Sequence, residues 1–180
     1  SPTLDTVMRI EKITLEQTGL FAPILLDAVH AAEPLRPFYN ATPSPENTRQ
    51  HLQQRNLPKA SRRTLVEVLL GQYRDLDTSG PTRTNIHALE ADTAFTITTG
   101  HQLNIFTGPL YFIYKILTVI NTAETLNIQY PDHRFVPVYW MASEDHDFEE
   151  ISRFRLFGKE YAWETDQTGP VGRMQPGSLK

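Results

Sequence analysis

Thr99-Gly100-His101-Gln102-Leu103-Asn104-Ile105-Phe106-Thr107-Gly108-Pro109-Leu110-Tyr111 and, farther along, Val136-Pro137-Val138-Tyr139-Trp140-Met141-Ala142-Ser143-Glu144-Asp145-His146-Asp147-Phe148-Glu149-Glu150 decide the fold. Each runs from a hydrophobic, β-prone segment straight into a polar loop, the arrangement by which α/β enzymes set chemistry at strand ends. The first strand is expected over Ala94 to Thr98, ending at Gly100, and an apolar helix should continue from Thr107 or Gly108 through Leu110, Ile113, Leu117, Ile120 and Ala123. The second strand is expected over Phe135 to Met141; Pro137, lacking an N–H, places it at a strand start or beside an edge. Strand, helix, strand is one βαβ unit. Such a crossover joins parallel strands, so both polar loops should emerge at one carboxyl edge of the sheet and can meet there.

Working outward, the residues before this unit read as helical. One segment lies near Leu15 to Ala32, and a second opens at Ser44-Pro45-Glu46, where serine suits an N-cap and proline the first helical position. A stronger helix is expected from Ser61 to about Leu76, with Leu65, Val66, Leu69, Leu70 and Tyr73 on one face, closed by Asp77-Thr78-Ser79-Gly80-Pro81. After the unit, Phe154 to Phe157 and Tyr161 to Trp163 flank Gly158-Lys159 as a hairpin. The expected organisation is a helical region over 1–90 and, over 91–180, the first part of an α/β core whose further strands lie outside this sequence.

Totals set bounds. The chain has 180 residues, 39% hydrophobic and 10% aromatic, enough for a real core. Seventeen Lys and Arg against 21 Asp and Glu give −4 without long runs of one sign, so neither a nucleic-acid surface nor a basic membrane face is indicated. No apolar window is long enough to span a bilayer, and Ser1-Pro2-Thr3-Leu4-Asp5 lacks the regions of a signal peptide, which makes the cytoplasm the expected location. With no cysteine, any thiol chemistry here belongs to a substrate.

In the first loop Gly100 permits a turn, while His101, Gln102 and Asn104 are binding groups. Thr107 and Gly108 at a helix start would offer backbone N–H groups to a phosphate or carboxylate, unless they serve only as cap and turn. Lys115 could reach a phosphate or sit on a solvated face. In the second loop Ser143, Glu144, Asp145, His146 and Asp147 could do acid–base work, hold a cation, or complement the dipole of a following helix. Asp145 and His146 are the preferred pair, with Glu144 next. The second histidine of an HExxH zinc site is missing, and no metal ligand set is assigned. Tyr111, Tyr114, Tyr139 and Trp140 read as core or pocket wall.

At these blocks the sequence resembles the bacillithiol-biosynthesis family usually called BshC, in its amino-terminal part. The residues that carry the likeness are Thr99-Gly100-His101-Gln102, Phe106 to Tyr111, Lys115 and Pro137 to Glu150, with Pro37-Phe38-Tyr39-Asn40 a weaker match. The resemblance implies a Rossmann-like parallel sheet related to nucleotidyltransferases, continued in the full protein by more strands and a coiled coil that makes a homodimer. It implies a ligase that joins the carboxyl of cysteine to the amino group of glucosaminyl malate, the last step to bacillithiol, with ATP as the expected activator. Relatives often carry Gln at the position of His101, which makes His101 a binding group rather than the base. In this reading Gly100, His101 and Gln102 contact sugar or nucleotide, Thr107 and Gly108 an anion, and Asp145 or His146 takes the proton of the attacking amine. The competing readings are a metal-dependent hydrolase built on Glu144 to Asp147 and a non-catalytic interaction domain.

Overall fold

The structure, a computed structural model, describes residues 11–42, 44, 47–105 and 108–178. The backbone divides into two compact units, Ser1–Gln54 and Arg55–Lys180. The change from helix to strand near residue 90 therefore falls inside the second unit.

In the first unit the segment expected as one helix is two. Helix α1 (Leu15–Thr18) opens on a capping box between Thr14 and Gln17 and stops at Gly19, whose φ of 65° is the left-handed helix terminator. Helix α2 (Pro23–Val29) restarts with proline in its first turn, and a 3₁₀ turn over Glu33–Phe38 follows. The start expected at Ser44-Pro45-Glu46 lies partly outside the described residues; α3 spans Thr48–Gln54.

The second unit carries the sheet. Helix α4 (Lys59–Gln72) ends before the expected Leu76, and α5 (Gly80–Ala88) occupies a stretch read from sequence as closing turn and loop. Ser79 is the N-cap residue of α5 and Pro81 sits in its first turn, so residues that stop one helix start the next. Strand β1 (Ala94–His101) and strand β2 (Arg134–Met141) pair in parallel, Ala94 opposite Arg134 and His101 opposite Met141. They are joined by helix α6 (Leu110–Gln129). The βαβ unit is present as expected, except that β1 runs on through Gly100 and His101 and α6 starts at Leu110, after Pro109. Pro137 stands opposite Ile97 within the ladder of a sheet that, among the described residues, has two strands. Pairing on one side only leaves its missing N–H harmless.

Side chains alternate across this sheet. Val136 packs with Val66, Ile86 and Leu89 of the α4–α5 layer, while Phe112 of α6 meets the rings of His101 and Tyr139 on the other side, 6.0 and 5.5 Å away. Three layers result. Helix α6 buries Val119, Ala123 and Leu126, whereas Leu110, Ile113 and Leu117 of the expected face are exposed. Leu110-Tyr111-Phe112-Ile113-Tyr114 is apolar on every side, so the 3.6-residue period could not choose between stripes. Asn127 fixes α6 to the sheet by a two-way bond, its Oδ1 accepting from Phe135 N and its Nδ2 donating to Phe135 O, both at 2.9 Å.

Beyond β2 a short helix, α7 (Phe148–Ile151), leads into the hairpin β3 (Arg153–Leu156) and β4 (Lys159–Ala162). Phe157 and Gly158 make its turn with φ of 50° and 77°, the paired positive values of a type I′ turn. A second core gathers Ile151, Trp163 and Val171, with Leu103 and Ile105 of the first loop packed on it. Among the described residues no helix is long and apolar enough to cross a membrane.

Candidate active site

The two polar loops meet at the carboxyl end of the β1–β2 pair. The parallel register sets His101 beside Met141, and the backbone of Ala142 donates to His101 O at 3.0 Å, so the last residue of β1 and the start of the acidic loop are one ladder step apart. Leu103 and Ile105, seated on Ile151, Trp163 and Val171, hold the first loop down against α7.

The side chains that join the loops are Gln102, Tyr111 and Glu150. Gln102 is buried, and its amide Nε2 donates to Glu150 Oε2. Tyr111, on the first turn of α6, donates its hydroxyl to Glu150 Oε1 at 2.6 Å and lies 3.0 Å from His101 Nε2. A carboxylate only accepts, so the phenol donates its hydrogen bond to Glu150 and accepts one from His101, which requires a hydrogen on Nε2. His101 is buried, 3.6 Å from Glu150 Oε1, with its carbonyl also bonded by the Tyr139 hydroxyl at 3.0 Å.

Neither Glu150 nor Tyr111 was assigned a site role from sequence. The signal for Glu150 was its position three residues after Asp147. In a capping box, a glutamate there reaches back to the N-cap N–H. Here Asp147 caps α7 by accepting from Glu150 N at 3.2 Å, but Asp145 Oδ1 takes the Asp147 N–H at 3.0 Å. The substitution frees the Glu150 carboxylate to cross to the other loop.

The expected site residues are placed as follows. Gly100 lies in β1 rather than in a loop, close against Trp140, and its carbonyl accepts from Lys115 Nζ at 3.3 Å. Lys115 is half-buried, its ammonium 5.1 Å from the Tyr111 ring centroid, so it is not on a solvated face. Asn104 Nδ2 bonds Gln102 O at 3.0 Å. Gly108 has φ of 60°, and a Cβ there would stand 2.7 Å from Asn104 Cγ, so both conformation and space require glycine. Thr107 lies outside the described residues; the N-cap position of α6 is held by Pro109, without a side-chain cap. Ser143, Glu144, Asp145, His146 and Asp147 are exposed, and Glu144 accepts from the Trp140 indole at 3.4 Å. Tyr111, Tyr114 and Trp140 are exposed too, against the expectation that they line core or pocket wall. The acidic loop is clamped from behind: Gly172 N donates to Ser143 O at 2.9 Å and Val171 N to Asp145 O at 2.8 Å, with a Gly172 Cβ only 2.5 Å from Ser143 Cβ. Among the described residues no three His, Asp or Glu side chains gather as metal ligands, so nothing here favours the hydrolase reading.

The bond to Glu150, with burial and the carboxylate charge adding to it, pushes the Tyr111 phenol up to about 12, and burial raises that of Tyr139. A raised phenol favours the neutral form in the folded protein, so this link is complete below about pH 10 and is lost as pH climbs through about 12. The phenolate absorbance of wild type minus Tyr111→Phe should therefore show Tyr111 ionising near pH 12, and Glu150→Gln should bring that step down. Ionisation at the ordinary tyrosine value in wild type would mean that the link does not form.

Over residues 8–180 the chain matches the family model described as bacillithiol biosynthesis BshC, N-terminal Rossmann-like domain. A relative from Flavobacterium psychrophilum is 43% identical over 175 residues, 96% of this chain and 33% of its own length. One from Flavobacterium johnsoniae is 42% identical over 174 residues, 96% of this chain and 33% of its own length. One from Christiangramia forsetii is 46% identical over 153 residues, 84% of this chain and 28% of its own length. Each bears the name "Putative cysteine ligase BshC". The chain spans about a third of the length of the curated relatives it matches.

Proposed function

The chain belongs to the bacillithiol-biosynthesis BshC family, as its N-terminal Rossmann-like domain, and from that membership we propose that the whole protein is a ligase joining the carboxyl of cysteine to the amino group of glucosaminyl malate. The observation that carries the reading is the convergence of Gln102 and Tyr111 from one loop and helix with Glu150 from the other, at the carboxyl edge of a parallel pair. Rossmann-like sheets bind small polar substrates at that edge. The protein acts in this reading on small molecules, as a homodimer.

An amide formed from a free carboxylate needs an activated acyl group, and ATP is the activator proposed; when bound it would convert the cysteine carboxyl into one. The residues present fit a phosphate. An α-helix start leaves its first N–H groups short of intrahelical partners, although that of Phe112 is turned to Pro109 O at 3.0 Å, and Lys115 stands on the second turn of α6. Gly100, His101 and Gln102 are proposed to contact the sugar or nucleotide, and Asn104 and Ser143 to complete the rim. Asp145 or His146, on the exposed acidic loop, is proposed to take the proton of the attacking amine, with Glu144 beside them.

In the full-length protein, Asp145→Ala combined with His146→Ala should lower ligation of cysteine to glucosaminyl malate by about 100-fold or more. The fold should survive, at a cost of roughly 1 kcal/mol for the lost Asp145 bond at the start of α7. An unaltered rate removes both residues from the reaction.

A further inference from the structure

We propose that Glu150 is the anchor for a primary ammonium group, held at the junction of the two loops. The inference rests on the ligase reading only in making that ammonium the amino group of the acceptor sugar. Both oxygens of Glu150 are engaged, yet by neutral donors, the Gln102 amide and the Tyr111 hydroxyl. Among the described residues no Lys or Arg pairs with it; the His101 ring, at 3.6 Å, faces the same oxygen as Tyr111. Lys115, on the same helix as Tyr111, is turned to the Gly100 carbonyl. A carboxylate whose geometry is fixed by two neutral donors, and which no Lys or Arg meets among the described residues, still offers its charge to a cation.

The second observation is an orphan acceptor next to it. Gln102 is 2% exposed, and while its Nε2 serves Glu150, its Oε1 is buried without a hydrogen-bond partner. The junction therefore has acceptors in excess of donors and one negative charge. A primary ammonium supplies a positive charge and up to three donors on one atom. The Glu150 side chain is 39% exposed, so a ligand reaches it from solvent.

The test uses the full-length protein and two sugars as probes, glucosamine and N-acetylglucosamine, which differ only at C2, where one carries an ammonium and the other a neutral acetamide; Glu150→Gln then separates the charge from the added acetyl group. Calorimetric or ligand-observed magnetic-resonance titration should show wild type binding glucosamine roughly 10-fold or more tightly than its N-acetyl form. Glu150→Gln, which keeps side-chain size and an acceptor for Tyr111, should erase that preference while leaving N-acetylglucosamine unchanged, and Glu150→Asp should restore part of it. Equal binding of the two sugars by wild type overturns the proposal without any variant, and so does a Glu150→Gln protein that keeps the preference. Ligation by wild type is scored separately. Its absence would count against the ligase reading, while the sugar titration still decides Glu150.

Discussion

Replacing Arg62 by methionine should lower the unfolding free energy by roughly 3 kcal/mol, a fall in melting temperature of about 6–12 °C for a domain of this size. Arg62 sits on α4 and is 5% exposed. Its Nη1 donates to Leu89 O at 3.1 Å and Ala94 O at 3.0 Å, its Nε to Leu57 O at 3.3 Å and its Nη2 to Asp92 O at 3.4 Å. One guanidinium thus ties the entry to α4, the end of α5 and the first residue of β1, through carbonyls rather than a carboxylate. Methionine keeps the apolar stem and removes every donor, so the Leu89 and Ala94 carbonyls stay buried with nothing to accept from, the situation in which a lost hydrogen bond costs most. Arg62→Lys should fall between, since an ammonium cannot fork to that many acceptors. Urea or thermal unfolding measures the effect; a midpoint unchanged in Arg62→Met would mean that water replaces the guanidinium there.

Arg62 also marks where reading from sequence stops. The surrounding helix was legible because Val66, Leu69, Leu70 and Tyr73 repeat at helical spacing, but an arginine on such a helix is read as exposed, and its acceptors lie as many as 32 residues away. The βαβ unit and the hairpin were legible for the complementary reason: their strands are β-branched and aromatic runs, bounded by Gly, Pro and polar turns whose local chemistry settles them. The shared edge of the two loops followed from the parallel rule without knowledge of any contact. What could not be read were choices among equivalents. Ser79-Gly80-Pro81 both ends a helix and begins one, and the first turns of α6 are apolar all round. In the acidic loop, which carboxylate caps and which crosses depends on Asp145 reaching the Asp147 N–H, a distance no spacing encodes. The residue that caps, Asp147, lies beside the preferred pair Asp145 and His146, while Glu150, the carboxylate that bridges, looked like ordinary first-turn charge.

Gln102→Glu should damage both stability and activity, because it changes a donor into a second carboxylate at a buried contact between the loops. Gln102 is 2% exposed and its amide faces Glu150 Oε2. Two carboxylates at hydrogen-bonding distance cannot both ionise without large repulsion, so one must keep its proton or the loops must part. The expected cost near neutral pH is roughly 3–5 kcal/mol, as for a buried charge left without a partner. The sign of its pH dependence follows. The carboxyl that retains its proton in the folded state has a raised pKa, so the variant is penalised least at low pH and increasingly as pH rises through that value. Its stability deficit against wild type should accordingly shrink on acidification, and a deficit independent of pH would rule out charge as the cause. In the full-length protein, ligation at neutral pH should fall by about 100-fold, since Glu150 and Tyr111 lose their fixed geometry together. The exchange Gln102→Glu with Glu150→Gln separates the two roles of the contact. It restores one carboxylate, one amide and an acceptor for Tyr111, so most of the stability should return, a coupling that a double-mutant cycle reads directly. Activity should remain low, because the charge now sits on the buried side of the junction, away from the position where the ammonium is received.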